Sequence, residues 1–228
     1  MSGVSCFGKV LSFSGRSRSA GTGALVDVDG SHFLLTAAHC VHFRWLESRP
    51  IHVRFSPWRE PRRHSWRSGR PDDVVALRMA VPRPWVESGD VQHDFALLRA
   101  DRFDDLAAAD LHTGTLPDRV TLVGIENKLL RAERPRWRSA RVTPAGAVPM
   151  LSVDAALERG ASGGPWTVPV PGGAGEVVSV TSIALRSQPG RLFGPVLSIA
   201  SLRAAAANLH GAEDPAFATL DLAPARIR

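Results

Sequence analysis

Three glycines and a proline crowd around one serine in Arg159-Gly160-Ala161-Ser162-Gly163-Gly164-Pro165. Glycine lacks a Cβ and turns where other residues clash, so this stretch is a tight connection, not the middle of a helix or strand. It also lets a ligand come close to the main chain. A nucleophilic serine needs both properties: its Oγ must stand clear, and nearby N–H groups must face the oxygen that becomes negative. With Ser162 as nucleophile, the N–H groups of Gly160 and Ser162 are the natural donors. A plain glycine-rich turn has the same composition, so the rest of the chain must decide.

Serine attacks only when a base takes its proton, and that base needs a third group to orient it. Upstream, Phe33-Leu34-Leu35-Thr36-Ala37-Ala38-His39-Cys40 is an apolar strand running into a small-residue turn with a histidine. Between the two, His93-Asp94-Phe95-Ala96-Leu97-Leu98 puts a carboxylate at the head of an apolar run. Asp72, Asp73 and Asp90 lack such a run. His93 is the nearest decoy, and in a strand it points away from its neighbour because successive side chains alternate faces.

These three segments resemble the TAAHC, (N/H)DxALL and GxSGGP boxes of the trypsin-like serine proteases, in that family's order of His, Asp, Ser. The resemblance implies an all-β fold: two six-stranded antiparallel barrels with the active site between them and a short C-terminal helix. It implies catalytic roles for His39, Asp94 and Ser162, and an oxyanion hole at Gly160 and Ser162. The floor of the primary pocket would lie about six residues before Ser162, near Ala155, Ala156 and Leu157. One wall would be the strand around Thr181, Ser182, Ile183 and Ala184. A trypsin-type floor Asp is missing there, although Asp154 and Glu158 are near. An apolar floor and an alanine wall favour a small or medium uncharged side chain.

A chain of 228 residues, 44% hydrophobic, with Gly 20 and Pro 17 dividing short apolar runs, suits one large all-β domain. Strands are expected at 4–13, 23–28, 32–36, 51–55, 74–80 and 94–99, which form a first barrel within 1–105. Asp29-Gly30 makes a tight hairpin turn with positive φ. Residues 101–116 are a connection with a helical turn. The second barrel, 117–212, has strands at 120–125, 138–142, 148–153, 164–170, 177–185 and 193–199. It ends in a helix at 201–209, with Ser201 as cap and Gly211 as stop. Residues 213–228 are a surface tail.

Met1 to Ser19 has no apolar h-region behind a basic start, and no run has the length of a membrane span. Cys 2 is too few for a disulfide framework. Secreted relatives bridge the cysteine after the catalytic His to one upstream, and 21–26 holds none. Cys6 and Cys40 are therefore expected as free thiols in a cytoplasmic protein. In zymogen-type relatives an Asp precedes the catalytic serine and pairs with a newly freed N-terminus. Here Ala161 stands in its place and forms no ion pair, so that switch is not expected.

The net charge of +6 gathers in two clusters. Arg54, Arg59, Arg62, Arg63, Arg67 and Arg70 surround Trp58 and Trp66. Arg131, Arg134, Arg136, Arg138 and Arg141 surround Trp137. Arginine interleaved with tryptophan can track phosphates and stack bases. Solvated basic loops are the favoured reading, ahead of nucleic acid or an acidic protein. No zinc-type spacing or phosphate-cradling loop is present, so no cofactor or metal is expected. The leading function is a serine endopeptidase acting on protein or peptide, with a regulatory protein partner. An inactive protease-fold binding module and a nucleic-acid-binding protein are the alternatives.

Overall fold

The hairpin expected at Asp29-Gly30 is there: Asp29 has φ 53° and Gly30 φ 85°, the positive values a two-residue turn of this hand requires. The computed structural model describes residues 5–15, 17–42, 51–58, 73–100, 102–103, 106–126, 134–146, 148–171 and 174–222. Much of the first Arg/Trp cluster (Arg59, Arg62, Arg63, Trp66, Arg67 and Arg70), Asp72 and Arg131 lie outside the described residues.

The first barrel is built from β1 (Phe7–Ser14), β2 (Ser17–Val28), β3 (Ser31–Thr36), β4 (Ile51–Pro57), β5 (Val74–Val75), β6 (Arg78–Pro82) and β7 (Ala96–Arg99). Two short helices, α1 (Ala38–Val41) and α2 (Arg83–Ser88), leave it. The second barrel has β8 (Asp110–Leu111), β9 (Arg119–Ile125), β10 (Pro135–Pro144), β11 (Met150–Asp154), β12 (Pro165–Val168), β13 (Glu176–Val180), β14 (Ile183–Ala184) and β15 (Arg191–Pro195). Helix α3 (Ile199–Leu209) and β16 (Phe217–Asp221) follow. The sheet orders are β16-β6-β7-β3-β2-β1-β4-β5 and β14-β15-β11-β10-β9-β12-β13-β8. This is the all-β double barrel expected: six main strands per barrel, extended by β5 and β16 in the first and by β8 and β14 in the second.

Burial on both faces explains why the central strands read as unbroken apolar runs. Leu25, Leu34, Ala96 and Leu98 point into the first barrel with Phe55 and Met79. Their neighbours Ala24, Val26, Phe33, Leu35 and Leu97 point outward, into a second core shared with Val123, Ile125, Val177 and Val180 of the other barrel. Period-2 alternation thus feeds two cores from one strand, and the shared core holds the barrels together.

Several expectations change. The stretch 17–22, between the strands expected at 4–13 and 23–28, is part of β2, and the β1–β2 pairing runs on to Ser14↔Ser17. The connection before the second barrel forms no helix among its described residues; Ala109 pairs with Val26 and β8 pairs with β13. The end of the chain, placed with the second barrel and a tail, returns to the first. Leu202, Ala205, Ala206 and Leu209 form one apolar stripe of α3 and pack with Phe33, Leu35, Leu97 and Phe217. Then β16 adds to the edge of β6, pairing Phe217↔Pro82 through Asp221↔Arg78. Helix α3 starts before the expected cap: the Ser198 hydroxyl accepts the Ser201 N–H at 3.0 Å.

Candidate active site

His39 sits on α1, four residues long, directly where β3 ends. Asp94 closes a 3-10 turn, Val91–His93, capped by the Asp90 side chain, and leads into β7. Because β3 and β7 are paired neighbours, with Thr36↔Ala96 in register, the two residues emerge side by side. The Asp94 carboxylate is fully buried. It accepts the His39 backbone N–H at 2.9 Å and His39 Nδ1–H at 2.7 Å. It also accepts the Ser182 hydroxyl at 2.5 Å. A carboxylate facing Nδ1 assigns the ring proton to that nitrogen and leaves the Nε2 lone pair free to act as a base. Burial by itself lowers the His39 pKa; the adjacent Cys40 sulfur and the Asp94 carboxylate outweigh it, and the net direction is upward.

The decoys are engaged elsewhere. His93 pairs with Asp90 at 3.1 Å. Asp73 accepts the Ser56 hydroxyl at 2.6 Å and faces Arg54.

Ser162 reaches this junction through its backbone. Its carbonyl accepts the Thr22 N–H of β2 at 2.7 Å. The next residue, Gly163, has φ 78°, and a Cβ there would lie 2.1 Å from Thr36 Oγ1 and 2.3 Å from the Thr22 carbonyl. Only glycine fits. Gly21 does the same from the other side: a Cβ on it would lie 2.6 Å from Cys40 Sγ and 2.9 Å from the Ser162 carbonyl. The residue after His39 and the backbone of Ser162 therefore flank one glycine. No hydrogen bond joins the Ser162 hydroxyl to His39 among the described residues.

The turn before Ser162 presents two donors. Ala161 N–H bonds the Glu158 carbonyl at 3.2 Å, and Gly164 N–H bonds the Ala161 carbonyl at 2.9 Å. Among the described residues, neither the Gly160 nor the Ser162 N–H donates to a protein acceptor. Two such donors two residues apart beside a serine form a notch of the kind that can accept an anion. Ala161 itself is buried; its Cβ faces Gly124, where an added Cβ would come within 2.5 Å of it.

The pocket residues separate by role. Ala156 and Ala184 are exposed, Leu157 and Ile183 partly buried. Thr181 and Ser182 are buried, and their hydroxyls face inward, to Trp166 Nε1–H and to Asp94. The Ser182 N–H bonds the Phe193 carbonyl at 2.9 Å, while its side chain belongs to the Asp94 site. Asp154 pairs with Arg191 at 3.0 Å. Sequence reading missed Thr22 and Glu126, both buried against the Ser162 turn. Cys6 and Cys40 are buried and unbridged. Among the described residues no helix is long and apolar enough to cross a membrane, and no three His, Cys, Asp or Glu side chains cluster as metal ligands do.

Two β-barrels with a buried carboxylate bonded to an imidazole, and a glycine-framed serine whose backbone meets the same strand junction, have the architecture of chymotrypsin-fold serine peptidases. Residues 21–168 match the trypsin-like peptidase domain family, and the chain belongs to that family. Among solved structures it is similar to the protease Anisep from Arthrobacter nicotinovorans, with TM-score 0.71, 19% identity, and 91% of this chain and 97% of that one covered. It is similar also to the thermostable serine protease AL20 from an extremophilic microorganism, with TM-score 0.71, 16% identity and coverage of 91% and 98%. Human heparin binding protein aligns with TM-score 0.59, 17% identity and coverage of 95% and 94%. At these identities the likeness is one of fold. No curated protein sequence matches the chain.

Proposed function

We propose that the protein is a serine endopeptidase working through His39, Asp94 and Ser162. The observation that carries this reading is the buried Asp94 carboxylate, 2.7 Å from His39 Nδ1, which leaves Nε2 as the base. Ser162 Oγ bonds to the scissile carbonyl carbon while its proton passes to His39 Nε2. The carbonyl oxygen takes the negative charge and is met by the Gly160 and Ser162 N–H groups. The C–N bond then breaks as His39 returns the proton to the leaving amine, and water, deprotonated by the same imidazole, releases the acyl group. Catalytic contacts such as that between Ser162 Oγ and His39 Nε2 shorten in the substrate complex.

Ala155, Ala156, Leu157, Ile183 and Ala184 line the primary pocket in this reading. It takes a small or medium uncharged side chain, since Asp154 is already paired with Arg191. Two buried, unbridged thiols suit a reducing, cytoplasmic setting. With Ala161 before the serine, activity does not await an ion pair with a new N-terminus; the hole is either preformed or controlled by a protein partner.

Labelling by a fluorophosphonate probe tests the reading. Wild type reacts, while Ser162→Ala and His39→Ala do not. A folded wild type that stays unlabelled and cleaves no peptide in a substrate library would be an inactive binding module instead. Cleavage dominated by Arg or Lys would overturn the pocket assignment alone.

A further inference from the structure

The oxyanion-binding turn is held by two side chains that carry no part of the chemistry, Thr22 and Glu126. Thr22 lies on β2 and is fully buried. Its hydroxyl accepts the Ile125 N–H of β9 at 2.8 Å and donates to the Gly160 carbonyl at 2.8 Å. Its own N–H holds the Ser162 carbonyl at 2.7 Å, and its carbonyl is held in turn by the Thr36 hydroxyl at 2.8 Å. One first-barrel residue thus grips both residues whose N–H groups form the notch.

Peptide planarity gives this grip a direction. A trans peptide points its N–H opposite to its C=O. The Ala161 carbonyl is taken by Gly164 N–H, so the Ser162 N–H, in the same plane, points the other way. The Gly160 carbonyl shares a plane with the Ala161 N–H, which bonds Glu158 O. With Thr22 on that carbonyl, the plane between the two notch donors is fixed at both ends. Glu126 steadies the start of the turn. Its carboxylate is 7% exposed, accepts the Glu158 N–H on Oε1 at 3.3 Å, and is 3.3 Å from Arg136 Nε on Oε2.

We propose that Thr22 and Glu126 are positioning residues that keep the notch in working shape, in place of a charge-driven switch at residue 161. This rests on the protease reading above. Both Thr22 contacts are hydrogen bonds of neutral groups, so the brace is formed by folding itself, with no cleavage and no proton needed.

Steady-state turnover of a small peptide ester and inhibition by an alanyl trifluoromethyl ketone test it, because the ketone's hemiketal oxygen occupies the notch. Thr22→Val keeps the shape of the side chain and removes the hydroxyl. It should lower kcat roughly 100-fold, the scale for misplacing catalytic groups by about an ångström, with KM unchanged and ketone affinity falling in parallel. Thr22→Ser should restore both. Should Thr22→Val not fold, Glu126→Leu carries the test against Glu126→Gln, whose side-chain oxygen still accepts Glu158 N–H. Wild-type kcat and ketone affinity in Thr22→Val or in Glu126→Leu would overturn the inference. So would a fall in thermal stability with no change in the ratio of ketone affinity to KM. A wild type that neither turns over ester nor binds the ketone overturns the protease reading itself, and the inference with it.

Discussion

Ser182 donates its hydroxyl to the same Asp94 oxygen that receives His39 Nδ1–H, at 2.5 Å and 2.7 Å. The second barrel thereby fixes a carboxylate that belongs to the first. A hydrogen bond to a buried charge contributes about 1.5–3 kcal/mol. Ser182→Ala removes one of three donors and leaves the two from His39. The expected result is a kcat/KM reduced about tenfold with KM nearly unchanged, read from steady-state peptide hydrolysis. Asp94→Asn acts more severely. An amide can turn its NH2 toward Nδ1 and reverse the tautomer, and kcat should drop about 10⁴-fold.

The pH profile should be displaced by the surroundings of His39. Burial favours the neutral ring, but the Cys40 sulfur and the Asp94 carboxylate favour the charged one more, so the pKa lies above the usual 6.5. His39 must be neutral to take the Ser162 proton. The acidic limb of kcat/KM should therefore have its midpoint above 6.5, with activity lost as pH falls through it. A limb at or below 6.5 in wild type would show that these influences do not outweigh burial.

Gly163 is the tightest point of the barrel junction. With φ 78° and Thr36 Oγ1 only 2.1 Å from a Cβ, Gly163→Ala adds both backbone strain and a steric clash against a buried strand. It should cost roughly 3 kcal/mol or more, within the range of severe single substitutions, and separate the Ser162 loop from β2. Denaturant unfolding together with probe labelling reads both effects. Gly146→Ala is the control: φ there is 71°, but no atom lies within 4 Å, so strain acts alone.

What the sequence made legible is what the chemistry restricts. Few residues can replace glycine at 163, histidine at 39 or a carboxylate heading an apolar run at 94, so those positions stood out locally. The double barrel was implied by the resemblance to trypsin-like proteases that these positions carry; unbroken apolar runs such as Phe33–Leu35 marked strands but not how they close. Thr22, Glu126 and Ser182 are ordinary residue types whose roles arise from partners remote in the chain, and nothing local marks them. Ser182 was legible as a wall position but not as a donor to Asp94, because that depends on which way its side chain turns. The strand Phe217–Asp221 was hidden for a related reason: five residues after a proline read as tail until β6 offers an edge. Likewise the helix at 201–209 was legible from its composition and its stop at Gly211, but not that the first barrel would receive its apolar stripe.

His112 ties the segment between the barrels to the second one, and its tie should depend on pH. Ala109 bonds Leu25 and Asp27 of β2, and His112 N–H bonds the Val177 carbonyl at 3.0 Å. The imidazole faces an acceptor on each nitrogen: Glu176 Oε2 lies 2.6 Å from Nδ1 and the Thr115 carbonyl 2.8 Å from Nε2. Both contacts are hydrogen bonds only when both nitrogens carry protons. The Thr115 carbonyl and then Glu176 accordingly raise its pKa above the usual 6.5, against the opposing effect of burial. A raised folded pKa means that the native state holds the proton more tightly than the unfolded chain. The stabilisation is fully present below 6.5 and is lost as pH rises through the folded value. Solvent screening keeps it small, at most about 1 kcal/mol. Denaturant unfolding of wild type and His112→Gln should therefore show a gap at pH 5.5 that narrows at pH 9. A gap of equal size at both would mean that His112 contributes by packing rather than by charge.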